Sequence, residues 1–220
     1  MGSDLSWAAL VGGRLCLDFA NTLGGTRAAG SIEHLTDYET LLEWAVHAGA
    51  IDATLARALR REAGAHPRQA AEVLTAARAL REAIYFIFYA VDHGDAPHRE
   101  DVALVERHLA RALARPQLVR DGERFRVAFA AQRELTAPLD PIARSAAELL
   151  ASDDLPRVRA CSSDGCDWLF VDQTRNRSRR WCEMKACGNR AKARRHYART
   201  KETETDNRES KSPGTTTQKR

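Results

Sequence analysis

The chain has 220 residues, 44% of them hydrophobic, and a formal net charge of +4 at pH 7. That suffices for one domain of ordinary size with its own core plus a small appendage, and no run approaches the roughly 18 apolar residues of a membrane span. Met1-Gly2-Ser3-Asp4-Leu5-Ser6-Trp7 has neither a basic start nor a long apolar stretch, so no secretion signal is expected there, which predicts a cytoplasmic protein without a membrane partner. The charge is uneven. Residues 1–156 carry 17 Arg and no Lys against 22 Asp plus Glu, a net −5, whereas residues 157–199 carry 12 basic against 4 acidic residues, a net +8. A mildly acidic domain bearing a strongly basic module is the asymmetry expected of a polyanion-binding appendage.

In chain order, Arg14 to Phe19 reads as a strand leading into Asn21-Thr22, with Cys16 inside it as a buried core thiol. Gly24-Gly25 then begins a loop. Thr36-Asp37-Tyr38-Glu39 has the form of a capping box, starting a helix that buries Leu41, Leu42 and Ala45. Asp52 caps a second helix, with Leu55 and Leu59 one turn apart. Pro67 suits the first turn of the longest helix, which runs toward Gly94. The second half of that helix, Ile84-Tyr85-Phe86-Ile87-Phe88-Tyr89, is apolar nearly all round and belongs in the core. Pro97 starts a further helix, Asp121-Gly122 makes a two-residue hairpin between alternating runs, and Asp140-Pro141 opens another helix. Asp153-Asp154 and Pro156 break it. The fold class is therefore α+β: a mostly helical domain over residues 1–152, with a small sheet from the first strand and the late hairpin, expected to fold alone.

Asp18 and Asn21 bracket the apolar Phe19 near the end of the first strand. They read either as the polar rim of a small-molecule pocket or as side chains bonding backbone at a strand-to-loop transition. Trp44 and the Tyr85/Tyr89 pair read as core and interface aromatics. No His-Glu-x-x-His, Gly-x-Ser-x-Gly, phosphate-binding Gly-Lys-Ser/Thr loop or Gly-x-Gly-x-x-Gly occurs, and the seven histidines are scattered. The motifs thus predict no enzyme.

The second module spans residues 157–199. Cys161/Cys166 and Cys182/Cys187 each enclose four residues, with fifteen between the pairs. Four thiolates suit one structural zinc with no open coordination position. Two disulfides are the alternative pairing, and His196 is an alternative fourth ligand. Gly165 and Gly188 supply the tight turns that aim two sulfurs at one point. Asp167-Trp168-Leu169-Phe170-Val171-Asp172 reads as a strand, Gln173 to Asn176 as a turn, and Asn189 as the N-cap of a helix over residues 190–199. A four-cysteine zinc finger built of a hairpin and a helix results. Residues 200–220 have almost no apolar residue and read as a disordered tail.

The cations of this module fall in two groups. Arg175, Arg177, Arg179 and Arg180 lie in and after the turn; Arg190, Lys192, Arg194, Arg195 and Arg199 lie on the helix, where 190/194 and 195/199 are one-turn neighbours. Only Glu183 opposes them between Arg175 and Arg199. The pattern fits a nucleic-acid surface or a solvated basic face, with Arg194 the expected base contact and Arg179 an expected phosphate contact.

Trp181-Cys182-Glu183-Met184 followed by Cys187-Gly188-Asn189-Arg190 resembles the CGNR zinc finger of bacterial regulators, and Cys161 and Cys166 match its upstream pair. The run from Gly12 to Leu23, Gly-Gly-Arg-Leu-Cys-Leu-Asp-Phe-Ala-Asn-Thr-Leu, resembles the opening motif of the ABATE domain, the α/β domain that precedes the finger in that family. The resemblance spans roughly residues 5 to 199. It implies a stress-responsive, DNA-binding transcription regulator with a sensor domain for a small-molecule effector, whose pocket would place Asp18 or Asn21 on its rim. Two other readings stand beside it: an RNA-binding protein using the same finger, and an enzyme with the finger as a structural clamp. Monomer and homodimer both fit.

Overall fold

The computed structural model describes residues 5, 7–28, 30–114, 116–129, 134–194 and 197. The tail expected over residues 200–220 lies outside them. Six α-helices among the described residues form the body: α1 (Leu15–Ala20), α2 (Tyr38–His47), α3 (Ala53–Ala65), α4 (Pro67–His93), α5 (Arg99–Ala112) and α6 (Leu139–Leu150). Three two-stranded antiparallel ribbons accompany them: β1 (Leu23–Gly24) with β2 (Ile32–Glu33), β3 (Pro116–Asp121) with β4 (Arg124–Phe129), and β5 (Val158–Ala160) with β6 (Leu169–Val171).

The helical α+β character stands, but the segment read as the first strand is α1. A short apolar run has no periodicity that separates a strand from one buried helical turn. Here Gly13 turns the chain at φ 76°, and Leu17 and Asp18 donate their N–H groups to the Arg14 carbonyl. The Asp18 carboxylate reaches back to accept the Gly12 N–H at 2.8 Å. A Cβ on Gly12 would stand 2.8 Å from Leu17 Cβ, so this return needs glycine. Cys16, Leu17, Phe19 and Ala20 are all buried. The sheet expected to join this segment to the β3–β4 hairpin is consequently absent among the described residues, and each ribbon pairs only within itself.

The start of α2 also differs. Asp37, not Thr36, is its cap, accepting the Thr40 N–H at 2.8 Å, and Glu39 instead accepts from Arg60 Nε at 2.6 Å. Asp52 caps α3 through the Leu55 N–H at 2.7 Å, Pro67 opens α4, and Gly94 ends it at φ 77°. The α4 helix is the spine of the core: Leu80, Ile84, Ile87 and Phe88 are essentially inaccessible, and Trp44 packs its ring 5.1 Å from Phe19 beside them.

The core does not stop at residue 152. Val158, Leu169 and Val171 share the same buried cluster as α1, α4 and α6. Alternation along β5 and β6 explains this, since residues two apart in a strand share a face. One face of the ribbon meets the helices while Phe170 turns to the other side, against Cys161, Cys182 and Cys187. The ribbon is thus the shared wall of two cores.

An ion-pair network reinforces that wall. Arg27 donates through Nε to Glu82 at 2.7 Å and through its backbone N–H to Asp167 at 2.9 Å, with its guanidinium 3.3 Å from the Tyr85 ring centroid. Arg81, 3% exposed, donates to both Glu33 oxygens at 2.7 Å and to Glu82 at 2.9 Å. Burial of a guanidinium this deep requires such a bidentate partner.

Candidate metal centre and nucleic-acid surface

The first cysteine pair sits at the end of β5. The Cys161 N–H donates to the Trp168 carbonyl at 2.8 Å, continuing the ribbon, and the Cys166 N–H donates to the Ser163 carbonyl at 3.0 Å to close a tight knuckle. Gly165 takes φ 77° there, a region costly for any residue with a Cβ. The second pair uses a different device. Residues Met184–Gly188 form one π-helical turn, in which the Gly188 N–H reaches the Glu183 carbonyl at 3.1 Å. This turn carries Cys187 while Cys182 lies in the extended stretch just before it.

All four sulfurs lie within 4.8 Å of one another, with Cys166–Cys182 at 3.7 Å and Cys182–Cys187 at 3.6 Å. A tetrahedron with Zn–S bonds of about 2.3 Å has sulfur–sulfur edges of about 3.8 Å, so the cage has the dimensions of a zinc site. No pair is at disulfide distance; all five cysteines are free thiols. Hydrogen bonds from Cys166 and Cys182 push the Cys161 thiol far down; the contact with Cys161 pushes Cys166 up, and the contacts with Cys161 and Cys166 push Cys182 up. Four thiolates this close need a cation. The donor set fits one structural Zn2+ held by Cys161, Cys166, Cys182 and Cys187, which would supply folding free energy and leave no position open for substrate. Cys16 is separate: burial raises its thiol to about 12, as befits a core residue. His196 lies outside the described residues.

Asp172 organises the basic loop. Its carboxylate accepts from Thr174 N–H at 2.8 Å, Thr174 Oγ1 at 2.6 Å and Arg179 N–H at 2.9 Å. Burial raises its pKa, but these bonds outweigh burial and hold it below the usual carboxylate range. Arg175, Arg177 and Arg180 are exposed on the loop, with Arg177 at φ 48°. Arg179, expected as a phosphate contact, is half-buried. Its guanidinium points inward, donating to the carbonyls of Val11 at 3.1 Å, Trp181 at 3.1 Å and Cys182, and it covers Phe170 at 4.2 Å. It ties the loop to the zinc knuckle and to the chain's N-terminal segment.

Residues 189–194 continue from the π turn as α-helix. Asn189 is therefore not an N-cap but already helical, at φ −67° and ψ −39°, and the extended residue at the start is Glu183. Arg190, Lys192 and Arg194 are exposed. Arg194 is paired with Asp164 of the first knuckle, in an open ion pair where the two side chains are 50% and 84% exposed. Arg195 and Arg199 lie outside the described residues. Lys185, exposed on the π turn, is a further cation that a search for helical spacing overlooks. Around Arg180 and Arg194 a depression of about 270 Å³ is lined by Ser162, Ser163, Asp164 and Trp181.

Asp18 and Asn21 are both engaged by backbone. Asp18 holds the Gly12 N–H, and Asn21 exchanges two hydrogen bonds with Leu169. Neither lines the depression beside Arg194 or the larger cavity beside the zinc knuckle. No described helix is long and apolar enough to cross a membrane.

A comparison with curated proteins finds no match. Family models do. Residues 157–200 match the CGNR zinc finger, and residues 13–153 match ABATE, described as "Putative stress-induced transcription regulator". Their boundary falls at the acidic break after α6, while the buried core runs across it. The ABATE match covers well over half of the chain. The four-cysteine cage, the helical body and these matches agree: the chain belongs to the ABATE family and carries a CGNR zinc finger.

Proposed function

We propose that the protein is a cytoplasmic, effector-responsive regulator that binds DNA through its zinc-ordered finger. The observation that carries this reading is the concentration of exposed cations around one metal centre: Arg175, Arg177 and Arg180 on the loop, and Arg190, Lys192 and Arg194 on the helical segment. Two knuckles and the Asp172 hub hold the backbone of both groups, so the cations are presented on a rigid support. The Arg180–Arg194 depression, with Ser162 and Ser163, has the donors and size for a phosphate. Asp164 stands in for that phosphate in the free protein. An exposed pair of this kind is worth under about 1 kcal/mol, so a phosphodiester displaces it readily.

Phosphates position and base edges specify. Arg190 and Arg194, one turn apart, are the side chains of the helical segment set to reach a groove while loop cations hold the backbone. Fluorescence anisotropy with a randomised duplex pool tests the reading. If about five cations neutralise phosphates, log K falls with log salt at a slope near −4.5. Asp164→Asn should tighten binding, and Arg190→Glu with Arg194→Glu should abolish it. Duplex affinity unchanged by that double reversal would end the proposal. One observation favours single strands or RNA instead: Trp181 flanks the same depression, with Arg180 5.7 Å from its ring centroid, and an aromatic face beside a phosphate anchor suits a stacked base. Tighter binding to single-stranded oligonucleotides, lost in Trp181→Ala, would select that reading. The family points to a regulator and not to an enzyme.

A further inference from the structure

A groove of about 290 Å³ runs between α4, α5 and α6, on the helical body and away from the metal centre. Ile87 and Val105 are its buried floor, and Val102, Leu109 and Leu150 are half-buried along its walls. Glu106 is the one charged residue of the lining. A cavity of about 150 Å³ accepts a benzene ring, so this groove has room for an aromatic side chain and a branched aliphatic one together.

The β3–β4 ribbon presents a matching shape. Residues two apart in a strand share a face, and so do residues directly opposite across two strands. The register sets Leu118 against Val127 and Arg120 against Phe125, which puts these four side chains on one face. Every residue from Pro116 to Val127 is exposed, with Leu118 at 72%, Phe125 at 66% and Val127 at 59%. Arg120 is the one charge among the four, and its Nε donates to the Gly122 carbonyl at 3.0 Å, which draws it toward the turn. Three large apolar side chains are left bare beside it. A two-stranded ribbon with neither a third strand nor a helix against it is marginal in water, so this face needs a cover.

Its own chain does not supply one. The Ala114 N–H is still bonded to the Arg111 carbonyl at 3.2 Å at the end of α5, and only one residue then precedes β3. Val105 lies about 10 Å back along α5 from that end. Laying the ribbon over it would need a reversal within that single residue and would unwind the last turn. A second copy of the chain carries no such tether. The charges are complementary as well: an apolar face with one cation, and an apolar groove with one carboxylate.

We propose that the β3–β4 hairpin of each chain docks in the α4–α5–α6 groove of a second copy, making a two-fold dimer. Phe125 and Val127 enter over the floor, and Arg120 meets Glu106 of the partner subunit. One such contact is small, but two-fold symmetry uses it twice and closes on itself, so the bare ribbon does not propagate into fibres. The interface does not rest on the nucleic-acid reading.

Sedimentation velocity on the full zinc-loaded chain should show a dimer that dissociates on dilution. Phe125→Asp should raise the dissociation constant at least twentyfold. Ala147→Trp, which fills the groove, should do the same, with helical circular dichroism and zinc content retained in both. Arg120→Glu and Glu106→Arg should each weaken the dimer at least fivefold, and the chain carrying both should return to within twofold of the wild type, since the ion pair is restored with its sense reversed. Glu106→Arg also keeps the groove under test if Ala147→Trp loses helical content. A wild type that stays monomeric at the highest concentration reached would overturn the proposal. A dimer lost in Phe125→Asp but intact in Ala147→Trp and Glu106→Arg would mean that ribbons pair with each other, and would overturn the groove as their seat. A double reversal no stronger than the single ones would overturn the contact between Arg120 and Glu106.

Discussion

The side-chain amide of Asn21 pairs with the backbone of Leu169, 148 residues away, as a neighbouring strand would: its Nδ2 donates to the Leu169 carbonyl at 2.9 Å and its Oδ1 accepts the Leu169 N–H at 2.8 Å. Both partners are buried. Asn21→Ala leaves a buried N–H and a buried carbonyl unpaired, which should destabilise the chain by about 2–4 kcal/mol. Asn21→Asp keeps the acceptor but loses the donor and buries a charge, so it should be no better tolerated. Urea unfolding measures both, and a loss below about 0.5 kcal/mol for Asn21→Ala would show the pairing to be incidental.

A fragment ending at residue 152 loses Val158, Leu169 and Val171 from the core and strips Asn21 of its partner. It also frees Asp92, whose carboxylate accepts the Ala160 N–H at 2.9 Å. Such a fragment should keep helical circular dichroism but lose cooperative unfolding, in the manner of a loosely packed state. A sharp thermal transition for residues 1–152 would mean that the helices complete a core unaided.

Metal analysis of protein purified under reducing conditions should find one zinc per chain. Cys182→Ser should lose it, since three thiolates cannot close the cage, and structural zinc contributes on the order of 10 kcal/mol to folding of such modules. Because the ligands are thiolates, acid must compete with the metal: zinc affinity should fall as pH drops below the ordinary thiol pKa of about 8.5. Because β5 and β6 belong to both cores, chelation should also lower the melting temperature of the helical body. A body indifferent to chelator would show the two cores to be uncoupled.

Arg179 and Arg180 are neighbours with opposite fates. Arg179→Ala removes donors from the carbonyls of Val11, Trp181 and Cys182 and should destabilise the finger by about 2–3 kcal/mol. Arg180→Ala should leave stability within about 0.5 kcal/mol and reduce the salt slope of DNA binding by about one. The two readouts, urea midpoint and salt slope, should therefore separate cleanly; the reverse pattern would exchange their roles.

Asp18 gives the pH dependence its sign. Burial raises its pKa from 3.8 to about 6, against the Gly12 N–H, which lowers it. A group with a raised folded pKa stabilises when protonated, so its contribution is fully present below about pH 4 and is lost as pH rises through about 6. Asp18→Asn keeps an acceptor for Gly12 and cannot ionise. It should stabilise the protein at pH 8, by at most about 3 kcal/mol, and do little at pH 4. Equal effects at the two values would show that Asp18 is solvated enough to ionise freely.

Much of this was legible in the chain itself. Four cysteines at matched spacing point to a metal cage, because thiolate chemistry and the Gly165 turn are local properties, whereas Gly188, expected to make a second tight turn, lies in the π-helical turn without a positive φ. The caps of α3 and α4 were equally legible, since Asp52 and Pro67 act within one turn. Charge density after residue 157 is a fact of composition and needs no fold. The tertiary structure alone decided the rest. Arg14 to Phe19 carries no periodicity long enough to tell a strand from a helical turn, and only its burial against α4 and α6 settles it as α1. Arg179 and Arg180 are indistinguishable as letters; one became a clamp because Val11, Trp181 and Cys182 converge on it from distant parts of the chain. The apparent boundary at Asp153 and Asp154 is real as a change of composition and false as a limit of packing. Hydrophobic burial counts area and not sequence order, and the alternation of β5 and β6 gives the helices one face and the zinc site the other.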